Sequence, residues 1–328
     1  MRKVFLGLVS SLAVFFLLLT AIDAGVLRVV GSPEPIKQVL ADSGIYKSII
    51  PSSLEQAGSD STNDVVPFDN PLVISAAEST FGGEYLEKTT GGVIDSIYRW
   101  LEGQTPVPDF KIDLTKKKTE FATKVGNAVS KRVADLPRCT TSTVSGFDAF
   151  EAKCHPAGVA APQAGAAVKN QLLKSDDFLE DTVITASDIK SADSDKPFFG
   201  NQLKNAPEAY QKFKASPVVL AIFAVLALAG TLLLSRNKLS GLKHVGFILA
   251  GVGIFLLIFA GGINEAVDNK VISQISLENQ ALQDNVRQLV GDIADRVSNS
   301  FLVFGAIYSG LGALGIGSYF YLRRRAKS

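Results

Sequence analysis

Both cysteines of the chain, Cys139 and Cys154, lie in one short stretch together with His155, which is one of only two histidines. A thiol beside an imidazole can serve as a nucleophile with its base, or as two ligands of a metal ion. The same cysteines, with fourteen residues between them, can instead form a disulfide. Closing a loop of about 15 residues contributes roughly 3 kcal/mol to stability in the chain-entropy view. Thiols oxidise readily outside the cytoplasm, so the choice depends on which side of a membrane this stretch lies.

Four long apolar runs, none of which contains Asp, Glu, Lys, Arg or His, divide the chain. A bilayer core requires about 20 apolar residues in a helix, and helices of a soluble core seldom stay uncharged for that length. We therefore predict transmembrane helices at residues 4–22, 217–235, 245–263 and 301–322. The first run is longer than the apolar core of a signal peptide and lacks a small-x-small cleavage site. This favours an uncleaved signal anchor, with a cleaved signal peptide as the alternative.

Three short basic segments flank these runs: residues 1–3, the loop 236–244 and the tail 323–328. The loop carries Arg236, Lys238 and Lys243. Lys and Arg accumulate in the short cytoplasmic segments of membrane proteins, and four crossings bring all three segments to the same side. We expect a plasma-membrane protein with both termini in the cytoplasm and the lipid bilayer as its first partner.

Residues 23–216 then form a large extracytoplasmic domain, which the sequence predicts to be mostly helical with one or two short strands. Ser32 and Asn70 each precede a proline, which is typical of a helix start. Alternating patterns predict short strands near residues 110–114 and 181–189. Four apolar residues at strict i, i+4 spacing predict an amphipathic helix: Phe121, Val125, Val129 and Val133.

Boundaries within this domain follow from polar and helix-breaking residues. Thr115 is predicted to cap the amphipathic helix that follows it. Residues 155–167 are poor in large side chains and predict a loop, residues 167–181 predict a helix, and residues 190–202 predict a linker into the second transmembrane helix.

Residues 264–300 form the second outer segment, which is charged and has apolar residues at helical spacing. Ser276 is a candidate break between two helical arms. We predict an antiparallel helical hairpin that extends the third and fourth transmembrane helices beyond the bilayer. Its apolar stripe must be covered by a partner surface, either the first outer domain or another copy of the chain.

The sequence lacks residues that several classes of function require. Transporters and ion pumps usually carry an ionisable residue inside the membrane, and phosphate-binding glycine loops are missing. A net charge of +1 gives no basic face for nucleic acid. We predict no catalytic residue, no metal site, no cofactor and no enzyme activity. A carboxylate-based outer enzyme and an oligomeric pore stay as less favoured alternatives.

Pairs of small residues four apart occur in the last two predicted transmembrane helices. Such pairs allow helices to approach closely. They either pack the bundle itself or line a face for self-association, and both interpretations stay open. The pairs are Gly246 with Ala250, Gly305 with Ser309, Ala306 with Gly310, and Ala313 with Gly317.

Four short motifs carry a family resemblance: GIY at 44–46, IYRWLEG at 97–103, FKIDLTKKK at 110–118 and LPRC at 136–139. With them, residues 33–139 and the four-span plan resemble bacterial multi-pass membrane proteins that have a large outer domain after the first span. The resemblance implies a bacterial envelope protein of that architecture. That family has no assigned activity, so no functional residue is carried over from it.

The sequence therefore favours a structural or interaction role, in which the chain assembles with itself or with envelope proteins through its outer parts. An extracytoplasmic ligand sensor, or an accessory subunit of a membrane complex, is the alternative. The predicted topology places the cysteine stretch outside the cytoplasm. We accordingly predict a disulfide between Cys139 and Cys154, with free thiols or a metal or redox site as the alternatives.

Overall fold

The computed structural model describes residues 2–60, 66–139, 147–174, 179, 181–191, 194–235, 237–277 and 279–325. The protein is mainly α-helical, as the sequence predicts. The helices are α1 (Arg2–Val30), α2 (Pro33–Asp42), α3 (Ile45–Asp60), α4 (Pro71–Phe81), α5 (Gly83–Leu101), α6 (Thr115–Asp135), α7 (Ala161–Lys174), α8 (Phe198–Asn201), α9 (Ala206–Leu234), α10 (Lys238–Lys270) and α11 (Gln280–Arg325). The strands are β1 (Lys111–Asp113), β2 (Val183–Thr185), β3 (Lys190–Ser191) and β4 (Ser194–Pro197).

Four helices are long and apolar enough to cross a membrane: α1, α9, α11, and α10 together with the 3₁₀ turn Ile272–Gln274 that follows it. The four predicted runs fall in these helices, the second extending one residue beyond Leu234. Arg236 of the predicted basic loop and residues 326–328 of the tail lie outside the described residues. Most of the apolar surface of these helices faces outward, as a lipid solvent requires.

Helices α10 and α11 are antiparallel and pack through glycines. A Cβ atom at Gly246 would lie 3.0 Å from the carbonyl oxygen of Gly312, and one at Gly305 would lie 3.0 Å from the carbonyl oxygen of Gly253. The pairs that begin at Gly246 and Gly305 therefore pack the bundle. The other two pairs, Ala306 with Gly310 and Ala313 with Gly317, are exposed.

Helices α2–α8 and strands β1–β4 form a unit apart from the four long helices, which we call the outer unit after its predicted side of the membrane. It has its own apolar core, built mainly from α4, α6 and α7. The predicted stripe of α6 faces it, and each stripe residue is at most 1% exposed. Gly126 of α6 meets Gly165 of α7, because a Cβ atom at Gly126 would lie 2.7 Å from the carbonyl oxygen of Gly165. Helix α7 begins at Ala161, earlier than the sequence predicts, and its small residues allow this close crossing.

The strands β1 and β2 lie within the two predicted segments and pair antiparallel, with Ile112 opposite Ile184. The predicted linker 190–202 is not featureless, because it holds β3, β4 and α8. Its Phe199 is buried and stacks edge-on against Trp100 at 5.4 Å between ring centroids. Aromatic burial thus orders a segment that local composition predicts to be a linker.

Helix starts follow the sequence signals in part. Asn70 caps α4 by accepting the N–H of Leu72 at 3.0 Å. Ser32 occupies the cap position of α2 but its side chain makes no capping bond. Thr115 is the first residue of α6 and not its cap; its N–H donates to a carboxylate oxygen of Asp113 at 3.0 Å.

Candidate functional site

The structure joins Cys139 and Cys154 in a disulfide, with their Cα atoms 5.0 Å apart. The backbone around it is also paired. The N–H of Cys139 donates to the carbonyl of His155 at 3.0 Å, and the N–H of His155 donates to the carbonyl of Pro137 at 2.9 Å. Residues 140–146 of the enclosed loop lie outside the described residues.

The second half of this loop is anchored to the core. Arg132 on α6 donates from its guanidinium to the carbonyls of Ala149 and Ala152, at 3.3 and 3.1 Å. The side chain of Phe150 is buried in the apolar core of the outer unit. The disulfide therefore closes a loop that inserts an aromatic side chain into the core. In the described part of the chain, His155 forms hydrogen bonds through its backbone, and its buried Nδ1 has no partner.

The outer unit docks on the first half of α11 through side-chain amides. Asn285 donates to the carbonyl of Gly44 at 3.3 Å and to the hydroxyl of Ser48 at 2.8 Å. Gly44, in the turn between α2 and α3, adopts a positive φ of 71°, which suits glycine. Gln288, about one turn along α11, donates to the carbonyl of Asp42 at 3.1 Å. We call this set of contacts the docking joint.

Arg296 extends the docking joint toward the bundle. Its guanidinium lies 3.2 Å from the amide oxygen of Gln38 and 3.4 Å from a carboxylate oxygen of Asp42. Both charged side chains are partly exposed, so the ion pair contributes little by itself. The sequence predicts that the outer domain or a second copy of the chain covers the apolar stripe of residues 264–300. In the structure the outer unit contacts this segment through the polar groups of the docking joint.

The apolar stripe of α11 is only partly covered. Leu282, Val286, Leu289 and Val297 are half-buried, and Ile293 is 40% exposed. The docking joint therefore leaves apolar surface on this segment accessible.

A groove of about 540 Å³ opens between α3 and the turn that joins α10 to α11. We call it the tip groove. It is lined by hydroxyl groups, amides, one carboxylate and two leucines: Ser52, Ser53, Glu55, Gln56, Ser276, Leu277, Asn279, Gln280 and Leu282. Leu277 is 40% exposed, so an apolar side chain is available inside a polar lining.

Side-chain bonds to the backbone fix the turn that forms one wall of the tip groove. Gln283 accepts the N–H of Leu277 at 3.0 Å, and Arg287 donates to the carbonyl of Ile275 at 3.0 Å. Asn279 reaches across the groove and donates to Glu55 at 2.6 Å. Ser276, the predicted helix break, lies in this turn. The sequence signal located the turn, but it did not reveal that α3 lies beside it.

A second joint holds the outer unit near the bundle. Tyr98 on α5 donates to the carbonyl of Val30 at 2.7 Å, and Tyr210 on α9 donates to the carbonyl of Gly31 at 2.8 Å. These groups satisfy the backbone where α1 ends. Burial raises the pKa of Tyr98 to about 12, so its hydroxyl stays a neutral donor at physiological pH. Sequence reasoning missed this joint, because a lone tyrosine in a helix carries no signal of its distant partner.

Comparisons with known proteins found no matching family model, no matching curated sequence and no matching solved structure. Within the described ranges, no group of three or more His, Cys, Asp or Glu residues could hold a metal ion. The tip groove and the docking joint lie side by side on the outer unit and α11.

Proposed function

We propose that the protein is a multi-pass plasma-membrane protein that acts by interaction, assembling with another protein through its outer unit and the outer end of the α10–α11 pair. Four long apolar helices and basic segments at one end support this placement. In this arrangement residues 23–216 and 264–300 lie outside, both termini lie in the cytoplasm, and the outer ends of α10 and α11 form the predicted hairpin.

The tip groove is the observation that carries the proposal. Its leucines offer an apolar contact, while the exposed side chains of Ser53, Ser276 and Gln280 can pair with the backbone of an extended segment. A small apolar patch with a polar rim is typical of protein–protein contacts. Glu55, the only carboxylate among the described lining residues, already accepts a bond from Asn279, so among these residues the groove favours a segment without strong charge. We propose that it seats such a segment from a second copy or from an envelope protein.

The location of the groove favours a second candidate function, that of a sensor or accessory subunit. One wall belongs to α3 of the outer unit and the other to the turn between α10 and α11. An occupant would contact both walls and could bias the docking joint below it. In this candidate function a partner membrane protein would pass the signal on.

Site-specific photo-crosslinking in living cells tests the interaction. A photoreactive residue replaces Leu277 in the tip groove, and the matched control replaces Val107, which is 43% exposed and does not line the groove. We expect position 277 to give one discrete crosslinked species containing a second copy or an envelope protein, and position 107 to give none. Equal labelling at both positions, or none at 277, would contradict the interaction.

Reporter fusions test the orientation separately. An enzyme that is active only outside the cytoplasm should be active when fused near Ala161 and inactive when fused near Ser240. The reverse pattern would overturn the proposed topology and every argument that depends on it.

A further inference from the structure

The end of the bundle opposite the outer unit collects positive charge without any acidic residue. Residues 1–22, 217–263 and 301–328 contain no Asp or Glu. Arg2 donates to the carbonyl of Leu234 at 2.8 Å, which brings the start of α1 beside the end of α9. The described cations at this end come from α1, α10 and α11: Arg2, Lys3, Lys238, Lys243, Arg323, Arg324 and Arg325.

Two of these cations share one aromatic ring. The ammonium of Lys243 lies 5.7 Å from the ring centre of Tyr319, and the guanidinium of Arg323 lies 6.0 Å from the same centre. Arg323 also donates to the Tyr319 hydroxyl at 3.2 Å. Such contacts orient a cation but leave its charge uncompensated. The Tyr319 ring therefore holds two positive groups close together where no acidic side chain neutralises them.

An apolar groove of about 310 Å³ starts beside this cation pair and runs between α1 and α10. Lys243 lies 5.6 Å above the ring of Phe247, which is one end of the groove lining. The lining contains no charged side chain: Val14, Leu18, Phe247, Ile248, Gly251, Val252 and Phe255. A Cβ atom at Gly251 would meet no atom within 4 Å, so the groove is open at its centre.

From these features we infer that the groove and the cation pair form a binding site for one anionic phospholipid of the adjoining leaflet. One acyl chain lies in the groove, and the phosphate and anionic headgroup contact Lys243 and Arg323. From Phe247 to Phe255 the groove covers about 12 Å of helix rise, which fits within the roughly 15 Å of hydrocarbon in one leaflet. Basic residues at the membrane surface attract anionic lipids, and the apolar groove beside them makes this a site rather than a diffuse charged surface. The inference rests on the proposed placement of the four helices in a membrane.

The test titrates the full-length protein in detergent with phosphatidylglycerol or with phosphatidylcholine of the same acyl chains, and counts bound lipids by native mass spectrometry. We expect one phosphatidylglycerol to bind more tightly than phosphatidylcholine. The double variant Lys243→Gln/Arg323→Gln should weaken phosphatidylglycerol binding roughly 20- to 30-fold, about fivefold for each lost charge. Its binding of phosphatidylcholine should stay unchanged.

Two matched controls make the result specific. Lys238→Gln/Arg324→Gln removes the same charge from the same end and should have a much smaller effect, because neither side chain adjoins the groove. Gly251→Leu should fill the groove and weaken both lipids, whereas Gly310→Leu, at another position where a Cβ meets nothing within 4 Å, should behave as the parent protein.

Equal affinity for the two lipids, equal losses in the two charge variants, or full binding by Gly251→Leu would each overturn the lipid site. These outcomes leave the orientation untouched, because the reporter fusions measure it independently. If the reporter fusions give the reverse pattern while phosphatidylglycerol still binds selectively, the proposed topology is wrong and the lipid site stands.

Discussion

In the described part of the chain, glycines of two helices face each other at two crossings: α6 with α7 in the outer unit, and α10 with α11 in the bundle. In the outer unit Gly126 meets Gly165 beside a water-excluding core of large apolar side chains. In the bundle Gly246 meets Gly312 with apolar side chains that are exposed on the far faces of both helices. The hydrophobic effect in water favours the association of α6 with α7. Lipid offers no such force, so close packing must hold α10 to α11.

This difference predicts that the stability of the outer unit depends on the volume of its buried apolar side chains. The stability of the bundle is predicted to depend on how closely its helices pack. Trp100, the only tryptophan, is 2% exposed and lies in the outer unit. Its fluorescence therefore reports unfolding of that unit through the cluster that Trp100 shares with Phe110 and Phe199, while circular dichroism also reports the bundle helices. The two signals separate the effects of the substitutions that follow.

The largest effect is expected from Phe121→Ala in the core of the outer unit. Phe121 is fully buried, and truncation of such a side chain costs about 3–5 kcal/mol in lost burial and cavity formation. The Trp100 transition of the full-length protein should shift to markedly lower denaturant, while the bundle signal stays. Val107→Ala, at an exposed position, is the control. A shift no larger than that of the control would show that this core does not hold the unit together.

Loss of the disulfide is expected to have the next largest effect on stability. Replacing Cys139 and Cys154 by serine should lower the stability of the outer unit by roughly 3 kcal/mol, as expected for a closed loop of about 15 residues. Adding a reductant to the parent protein should reproduce the shift and should do nothing further to the double variant. Peptide mapping that finds both thiols free in the native protein would contradict the disulfide itself.

The glycine crossings test the comparison directly. Gly165→Leu and Gly253→Leu both force a side chain against the backbone of the facing helix, and overpacking typically costs about 1–3 kcal/mol. We expect Gly165→Leu to move the Trp100 transition and Gly253→Leu to move only the bundle transition seen by circular dichroism. Gly251→Leu is the control in α10 because a Cβ there meets open space. If Gly253→Leu left the bundle transition in place, close packing would not be what holds α10 to α11.

The smallest effect concerns acid. Bonds from Lys124 and Lys117 lower the pKa of Glu120 from 4.5 to about 2. A lowered carboxylate pKa stabilises the folded protein above the unfolded value, and this contribution is lost as the pH falls from about 4.5 toward 2. Glu120→Gln should therefore make the Trp100 transition less sensitive to a change from pH 5 to pH 3. Glu84→Gln, an exposed acid on α5, is the control. Identical acid sensitivity in Glu120→Gln and the parent would show that ionisation of Glu120 does not stabilise the outer unit.

Local patterns in the sequence predict much of this fold. The i, i+4 stripe from Phe121 to Val133 gives the buried face of α6, and the uncharged runs give the four long helices, since both signals depend on neighbours along the chain. The close crossing of α7 over α6 involves Gly126, which is more than thirty residues from Gly165 along the chain. Asn285 and Ser48 are even farther apart along the sequence, so no local pattern predicts the docking joint. The sequence does not predict the tip groove for the same reason. The turn at Ser276 is a local feature, but α3 on the other side of the groove is distant in the sequence.

The most direct test of the account asks whether the outer unit docks on α11 in the native membrane. Ser48 and Asn285 are in hydrogen-bond contact at 2.8 Å, so Ser48→Cys/Asn285→Cys should form a second disulfide in intact membranes under mild oxidation. Ser48→Cys/Asp284→Cys is the control, because Asp284 is exposed beside the joint. We expect peptide mapping to find a disulfide between positions 48 and 285 in the first variant, and little or no new link in the control. Both new thiols remaining free in oxidised membranes would contradict the docked arrangement or the proposed extracytoplasmic placement of α3 and the start of α11.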